Sequence, residues 1–213
     1  MGVGRSAAYR RKERNSRKRK RKPIVFLCAE GRNKIETLYF KAFGQDVNRI
    51  VRFSPGNYTD PVNMVQCLSK YMAENDFSPD LGDKAFCLID ADISVSKDAQ
   101  IAKAIKLAQK ENIQVIVSAP CFEYWYLCHF GMFGKKYLSN SELLSDIQHY
   151  VPQYQKNAPD MYEILKGRLL DAIQNAQAME KRHLKDGETL HTVSFYPSTE
   201  VYYVVQELNK NNS

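Results

Sequence analysis

The sequence predicts an α/β protein: an open, mainly parallel sheet flanked by helices, with a helical C-terminal extension. Two short continuous apolar runs, Ile24 to Ala29 and Ala85 to Ile89, have the length and composition of buried parallel strands. Between residues 24 and 117 strand-like segments alternate with segments of helical spacing, the order that builds a parallel sheet. From Cys121 onward the pattern turns helical.

The elements follow in order. Ile24 to Ala29 forms the first strand, closed by Glu30-Gly31, and Ile35, Leu38, Tyr39, Ala42 and Phe43 recur at helical spacing up to Gly44. A second strand spans residues 49–53, a Ser-Pro-Gly-Asn turn follows, and a helix runs from Pro61 to about Asn75. The strand of residues 85–89 runs into Asp90-Ala91-Asp92; a helix over 97–110 and a strand over 113–117 complete the alternation. Helices are then predicted over 122–130, 141–150 and 161–184, with a last one after Pro197-Ser198-Thr199, where Ser198 or Thr199 reads as an N-cap or, alternatively, as a phosphate contact.

Charge divides the chain. Between Arg5 and Lys22 stand eleven basic residues and one acid, Glu13, a net +10, whereas the 20 basic and 23 acidic residues from Pro23 onward leave −3. The formal +7 therefore belongs to an acidic body with a basic arm, which excludes a protein coating nucleic acid with its whole surface. Residues 1–22 carry too many like charges to fold alone and are expected to be a disordered arm; 23–130 form the α/β core, and 131–213 a mainly helical part packed on it. Arg17, Lys18, Arg19, Lys20, Arg21 and Lys22 are the arm residues expected to contact nucleic acid. No apolar run approaches the ~20 residues of a membrane span, and no signal peptide is legible, so a cytoplasmic protein is expected. Cys28, Cys67, Cys87, Cys121 and Cys128 show no CxxC pair and read as reduced core residues. The stretch 122–130, with five aromatics in nine residues, and His129 within it read as core packing rather than a base-stacking platform.

The chemistry is carried by acids. Glu30 and the pair Asp90, Asp92 stand at the ends of the two clearest strands, and neighbouring parallel strands lie about 4.8 Å apart. Three carboxylates at one sheet edge repel each other unless a cation sits among them, and a hard divalent ion with oxygen ligands is the simplest partner. Residues two apart in an extended segment point to one face, so Asp90 and Asp92 are expected to share that ion. Mg²⁺ or Mn²⁺ follows.

A Glu-Gly after the first strand with an Asp-x-Asp after a later one resembles the Toprim fold of topoisomerases, primases and OLD-type nucleases. The chain is more closely similar to the RloB-like family, met in bacterial and archaeal defence loci. That resemblance rests on Ala29-Glu30-Gly31-Arg32-Asn33-Lys34-Ile35-Glu36 with Tyr39-Phe40, on Leu88-Ile89-Asp90-Ala91-Asp92, on Ser118-Ala119-Pro120-Cys121-Phe122-Glu123-Tyr124-Trp125, and on Pro197-Ser198-Thr199-Glu200-Val201-Tyr202. The third block is absent from Toprim proteins in general.

The resemblance implies a Toprim-like sheet and metal-dependent phosphodiester chemistry. The first Glu is then a metal ligand or general acid/base, and the Asp-x-Asp binds Mg²⁺; these roles fall on Glu30, Asp90 and Asp92, the expected catalytic residues. Glu36 and Glu123 occupy the places of a second acid and a later acid that serve a second metal, so one or two ions are expected. Ile35 stands where Thr is common and Ala119 where Asn is common, and neither departure removes a carboxylate. Lys34 is a candidate phosphate contact, or a lysine pairing with Glu36 or solvent. RloB-like proteins resemble AbiL-type abortive-infection components encoded beside a separate ATPase, and this chain has no Walker A motif, so an ATPase partner is expected in trans.

The residues and the resemblance together point to a Mg²⁺-dependent Toprim-type nuclease acting on RNA or DNA in anti-phage defence. The alternative is a nucleic-acid-binding or sensor subunit of an ATPase-partnered complex without cleavage of its own. Phosphotransfer to a small molecule is a weaker third, because no Gly-rich phosphate loop is present.

Overall fold

The structure, a computed structural model, describes residues 21–30, 35–92 and 95–210. Its centre is a five-stranded sheet in the order β2-β1-β3-β4-β5. The strands are β1 (Ile24–Ala29), β2 (Ile50–Phe53), β3 (Lys84–Asp90), β4 (Gln114–Ala119) and β5 (Ser198–Thr199). The first four are parallel and β5 runs antiparallel to β4. Helices α1 (Ile35–Phe43), α2 (Pro61–Glu74) and α3 (Val95–Lys110) connect the parallel strands as predicted. Asp60 caps α2 by accepting from the Asn63 N–H at 2.9 Å, and Pro61 fills the first turn, where its missing donor costs nothing.

Strand alternation sorts the core into two layers. Val25 and Leu27 of β1 and Phe86 and Leu88 of β3 face the layer formed with α1 and the C-terminal helices, whereas Ile24, Phe26, Cys28, Ala85, Cys87 and Ile89 face the layer formed with α2 and α3. Continuous apolar strands follow, since both faces are covered. In the first layer Tyr39, Phe40, Phe43, Phe122, Tyr126 and Tyr162 pack edge-to-face or stacked, and Trp125 Nε1 donates to the Tyr39 hydroxyl at 3.0 Å. The aromatic stretch is core, as the sequence predicts, because Phe122 to Cys128 is buried throughout. All five cysteines are free thiols and four are buried.

After α4 (Tyr124–Cys128), the last helix of the core, the C-terminal part comprises α5 (Asn140–Tyr150), α6 (Met161–Leu165), α7 (Leu169–Lys185) and α8 (Val201–Asn209). It packs on the core and also enters the sheet. Ser198 and Thr199 are not a helix N-cap: they form β5 against Ala119 and Ser118, Thr199 Oγ1 sits 2.8 Å from Ser118 Oγ, and Glu200 takes the cap position of α8. The helix predicted over 161–184 is broken by a 3₁₀ turn at Lys166–Arg168, around Gly167, a residue with low helix propensity. Among the described residues no helix is long and apolar enough to cross a membrane.

Candidate active site

The acids gather where the sheet geometry sends them. β1 and β3 are neighbours, with Ala29 paired to Leu88, so the residues just beyond, Glu30 and Asp90, meet at the carboxyl ends of the strands. The Asp90 backbone N–H donates to Glu30 Oε2 at 3.2 Å. The turn after β4 brings in Glu123, and the first turn of α1 brings in Glu36. Asp90, Glu30, Glu36 and Glu123 are all buried.

Asp90 and Asp92 do not share a face. β3 ends at Asp90, and Asp92 has φ 50, so the chain has left the extended state in which residues two apart align. The Asp90 carboxylate turns inward and accepts the Phe122 N–H at 2.9 Å, whereas the Asp92 side chain stays 56% exposed. Lys97, to which no sequence motif points, joins the outer acids. Its Nζ lies 2.8 Å from Glu30 Oε1 and 2.9 Å from Asp92 Oδ2. The only signal for it in the sequence is a lysine in the first turn of a helix, the end where a cation opposes the helix dipole.

Electrostatics record the crowding. Burial first, then the charges of Glu123 and Glu30, push Glu36 up to about 8. Burial, followed by Glu36, Glu123, Glu30 and Asp92, holds Asp90 well above the usual carboxylate range. Glu30 is raised by burial although Lys97 opposes the shift. Burial works against the charge of Lys97, but its bonds to Glu30 and Asp92 outweigh that and raise it. Two buried polar atoms at this place have no hydrogen-bond partner among the described residues: Glu36 Oε2 and the hydroxyl of Tyr154, whose phenol is raised by burial and by the charges of Glu123, Cys121 and Glu36. Tyr154 comes from the segment between α5 and α6 and carries no recognisable signal in the sequence.

The donor set suits a hard cation. It consists of carboxylate oxygens, one of them buried and without a hydrogen-bond partner among the described residues, in a place where negative charge raises the cost of every further ionisation. As they stand, no three His, Cys, Asp or Glu side chains among the described residues form a ready ligand cage. Two of the larger clefts, about 390 and 340 Å³, lie along the outer parts of β3 and β4 rather than over the acids.

The remaining site residues fall elsewhere. Lys34 and Arg17, Lys18, Arg19 and Lys20 lie outside the described residues. Lys22 is exposed, but Arg21 is engaged by Asp83 at 2.6 Å, beside the amino ends of β1 and β3. The point where the arm joins the body is thus separated from the acids by the six residues of β1, about 20 Å. His129 is core: its Nδ1 lies 3.0 Å from the Trp125 carbonyl, and burial lowers its pKa to about 4.

Fold and site together define an open-sheet α/β protein with an acidic centre at the carboxyl ends of its parallel strands, where sheets of this kind place their function. A family model described as "RloB-like protein" matches residues 25–208, and the chain belongs to that family. No curated protein matches it. Among solved structures it is similar to a de novo designed Rossmann fold protein, at 18% identity and a TM-score of 0.33, covering 60% of this chain and 96% of the designed one.

Proposed function

We propose that this RloB-like protein is a divalent-metal-dependent nuclease of the Toprim type, hydrolysing phosphodiester bonds of RNA or DNA in anti-phage defence. The observation that carries the reading is the convergence of Glu30, Glu36, Asp90 and Glu123 from three strand ends and a helix start, with one buried carboxylate oxygen that has no hydrogen-bond partner among the described residues. The defence role and the Toprim relationship rest on the family resemblance. A bound Mg²⁺ or Mn²⁺ would neutralise charge on the phosphate oxygens and lower the pKa of a bound water. The protein's own part is positional. The Phe122 N–H fixes Asp90, Lys97 orients Glu30 and Asp92, and the buried Tyr154 hydroxyl has no hydrogen-bond partner among the described residues.

The test is incubation of purified protein with tRNA, single-stranded and duplex substrates in Mg²⁺ or Mn²⁺, with and without an ATPase encoded nearby. Cleavage abolished by EDTA and by Asp90→Asn supports the reading; cleavage that survives in Asp90→Asn and Glu36→Gln sinks it.

One observation favours the second reading, a binding or sensor subunit: a lysine already neutralises Glu30 and Asp92, and the described acids form no ready ligand cage. A silent cleavage assay together with tight, salt-sensitive nucleic-acid binding selects it.

A further inference from the structure

The sheet has an open edge. Glu200 pairs with β4 at Val117, its N–H donating to the Val117 carbonyl at 3.0 Å and its Oε2 accepting the Val117 N–H at 2.8 Å. Backbone groups two residues apart in a strand point the same way, so the N–H and C=O of Val115 face this edge as well, and none of the described residues pairs with them. Toward its amino end β4 begins at Gln114, and toward its carboxyl end Glu200 takes the edge. One donor and one acceptor are left on offer, too few for an added strand, whose pairs repeat every two residues.

A cleft of about 340 Å³ lies against that edge, within the size range of small-molecule sites. α3 contributes Ile105 and Gln109 to its wall, and α8 contributes Tyr203. His191 completes it. Its Nε2 lies 2.9 Å from Glu200 Oε1; a carboxylate only accepts, so Nε2 carries the proton of that bond and the neutral ring keeps Nδ1 as an acceptor. His191 stands at φ 62, in the left-handed region, and its loop is tied to α3 by the Val193 N–H, which donates to Asp98 Oδ2 at 3.1 Å. Among the described residues no Lys or Arg lines the cleft, and the buried Glu200 carboxylate does, so its chemistry disfavours a phosphate or other anion. A neutral planar ligand with a donor and an acceptor on one edge matches it: the aliphatic and aromatic wall suits the ring, and the peptide groups suit the edge.

We infer that this cleft binds a nucleobase, its edge on the N–H and C=O of Val115 and His191 as a further polar contact. The base belongs either to a free nucleoside or nucleotide or to an unpaired stretch of a nucleic acid. The site is separate from the acidic centre: Ser118, the partner of Asp90, lies three residues of β4 from Val115, about 10 Å. It needs no metal, and it therefore stands or falls apart from the nuclease reading.

In the experiment adenosine, guanosine, cytidine and uridine are each titrated, without metal, into the isotope-labelled full chain and into Gln109→Trp, which puts an indole at an exposed wall position and leaves the core untouched. The Val115 amide and the His191 ring are followed by nuclear magnetic resonance. At least one nucleoside is expected to shift both saturably, and Gln109→Trp to weaken its binding by roughly tenfold or more. Gln109→Phe serves should the tryptophan variant fail to fold. A single-stranded oligonucleotide of that base binding more tightly than the nucleoside assigns the site to nucleic acid; equal or weaker binding assigns it to a free nucleotide. No saturable shift of Val115 with any nucleoside or oligonucleotide, or a shift unchanged in both Gln109 variants, would overturn the inference. So would a Val115 shift produced by an extended peptide and by no nucleoside.

Discussion

The backbone N–H of Phe122 donates to Asp90 Oδ1 at 2.9 Å, tying the carboxyl end of β3 to the turn that follows β4. The acid thus has a structural partner as well as the metal-binding role proposed for it, and the two separate by mutation. Asparagine retains an acceptor for that N–H, so Asp90→Asn is expected to keep the fold and lose metal-dependent activity. Asp90→Ala leaves the donor buried without a partner and is expected to cost about 1–3 kcal/mol. Urea unfolding of the two variants checks this; equal stability would show the bond to be dispensable.

Glu36 makes the protein's stability depend on pH. Its folded-state pKa, about 8, lies above the unfolded value of about 4.3. Stability from its protonated form is fully present below the unfolded value and is lost as pH rises through the folded one. Glu36→Gln removes that dependence. The variant is expected to be more stable than wild type at pH 8, by on the order of a few kcal/mol, with the gap closing toward pH 5. Thermal melts at the two pH values without metal measure it, and a gap that widens on acidification would contradict the assignment.

Arg49 and Glu207 form a buried pair, 2.9 Å apart, joining the start of β2 to α8. Arg49 also donates to the Gly82 carbonyl at 3.2 Å. Removing one partner strands a charge in the interior, so Glu207→Leu is expected to destabilise by about 3–5 kcal/mol, whereas the double variant Arg49→Met with Glu207→Leu recovers most of the loss. Denaturant midpoints of the three proteins decide, and additive losses would refute the coupling.

The basic arm and Arg21 are expected to behave differently. Arg21 is paired with Asp83, which also accepts from the Ile24 and Ser78 N–H groups, so Arg21→Ala should lower stability. Deleting residues 1–20 should leave stability unchanged and weaken nucleic-acid binding, with the salt dependence of log K on duplex DNA reduced by about 0.9 for each phosphate the arm had neutralised. Binding isotherms at several salt concentrations provide the slope. A deletion that unfolds the body would make the arm structural.

Much of this fold is legible in the sequence because its signals are local. The apolar runs of β1 and β3, the Pro61 start of α2 and the acids that close the strands all stand in short segments governed by strand or helix periodicity. β5 is not legible: two residues cannot show a period, and they pair with β4 about eighty positions away. Glu36 and Glu123 come from the family resemblance, and the structure places both with Asp90. The shared face expected of Asp90 and Asp92 fails because the strand stops between them.

The sequence by itself determined the alternation of strands and helices, the charge division between arm and body, and which strand ends carry acids. Only the tertiary structure decided how those acids are compensated. Whether Glu30 meets Lys97, 67 positions on, whether Glu36 has a partner for each oxygen among the described residues, and whether Tyr154 feels the charges of Glu36 and Glu123 depend on the approach of side chains from separate elements. Periodicity orients a residue on its own element; the packing of one element on another sets the few ångströms that turn neighbouring charges into a site.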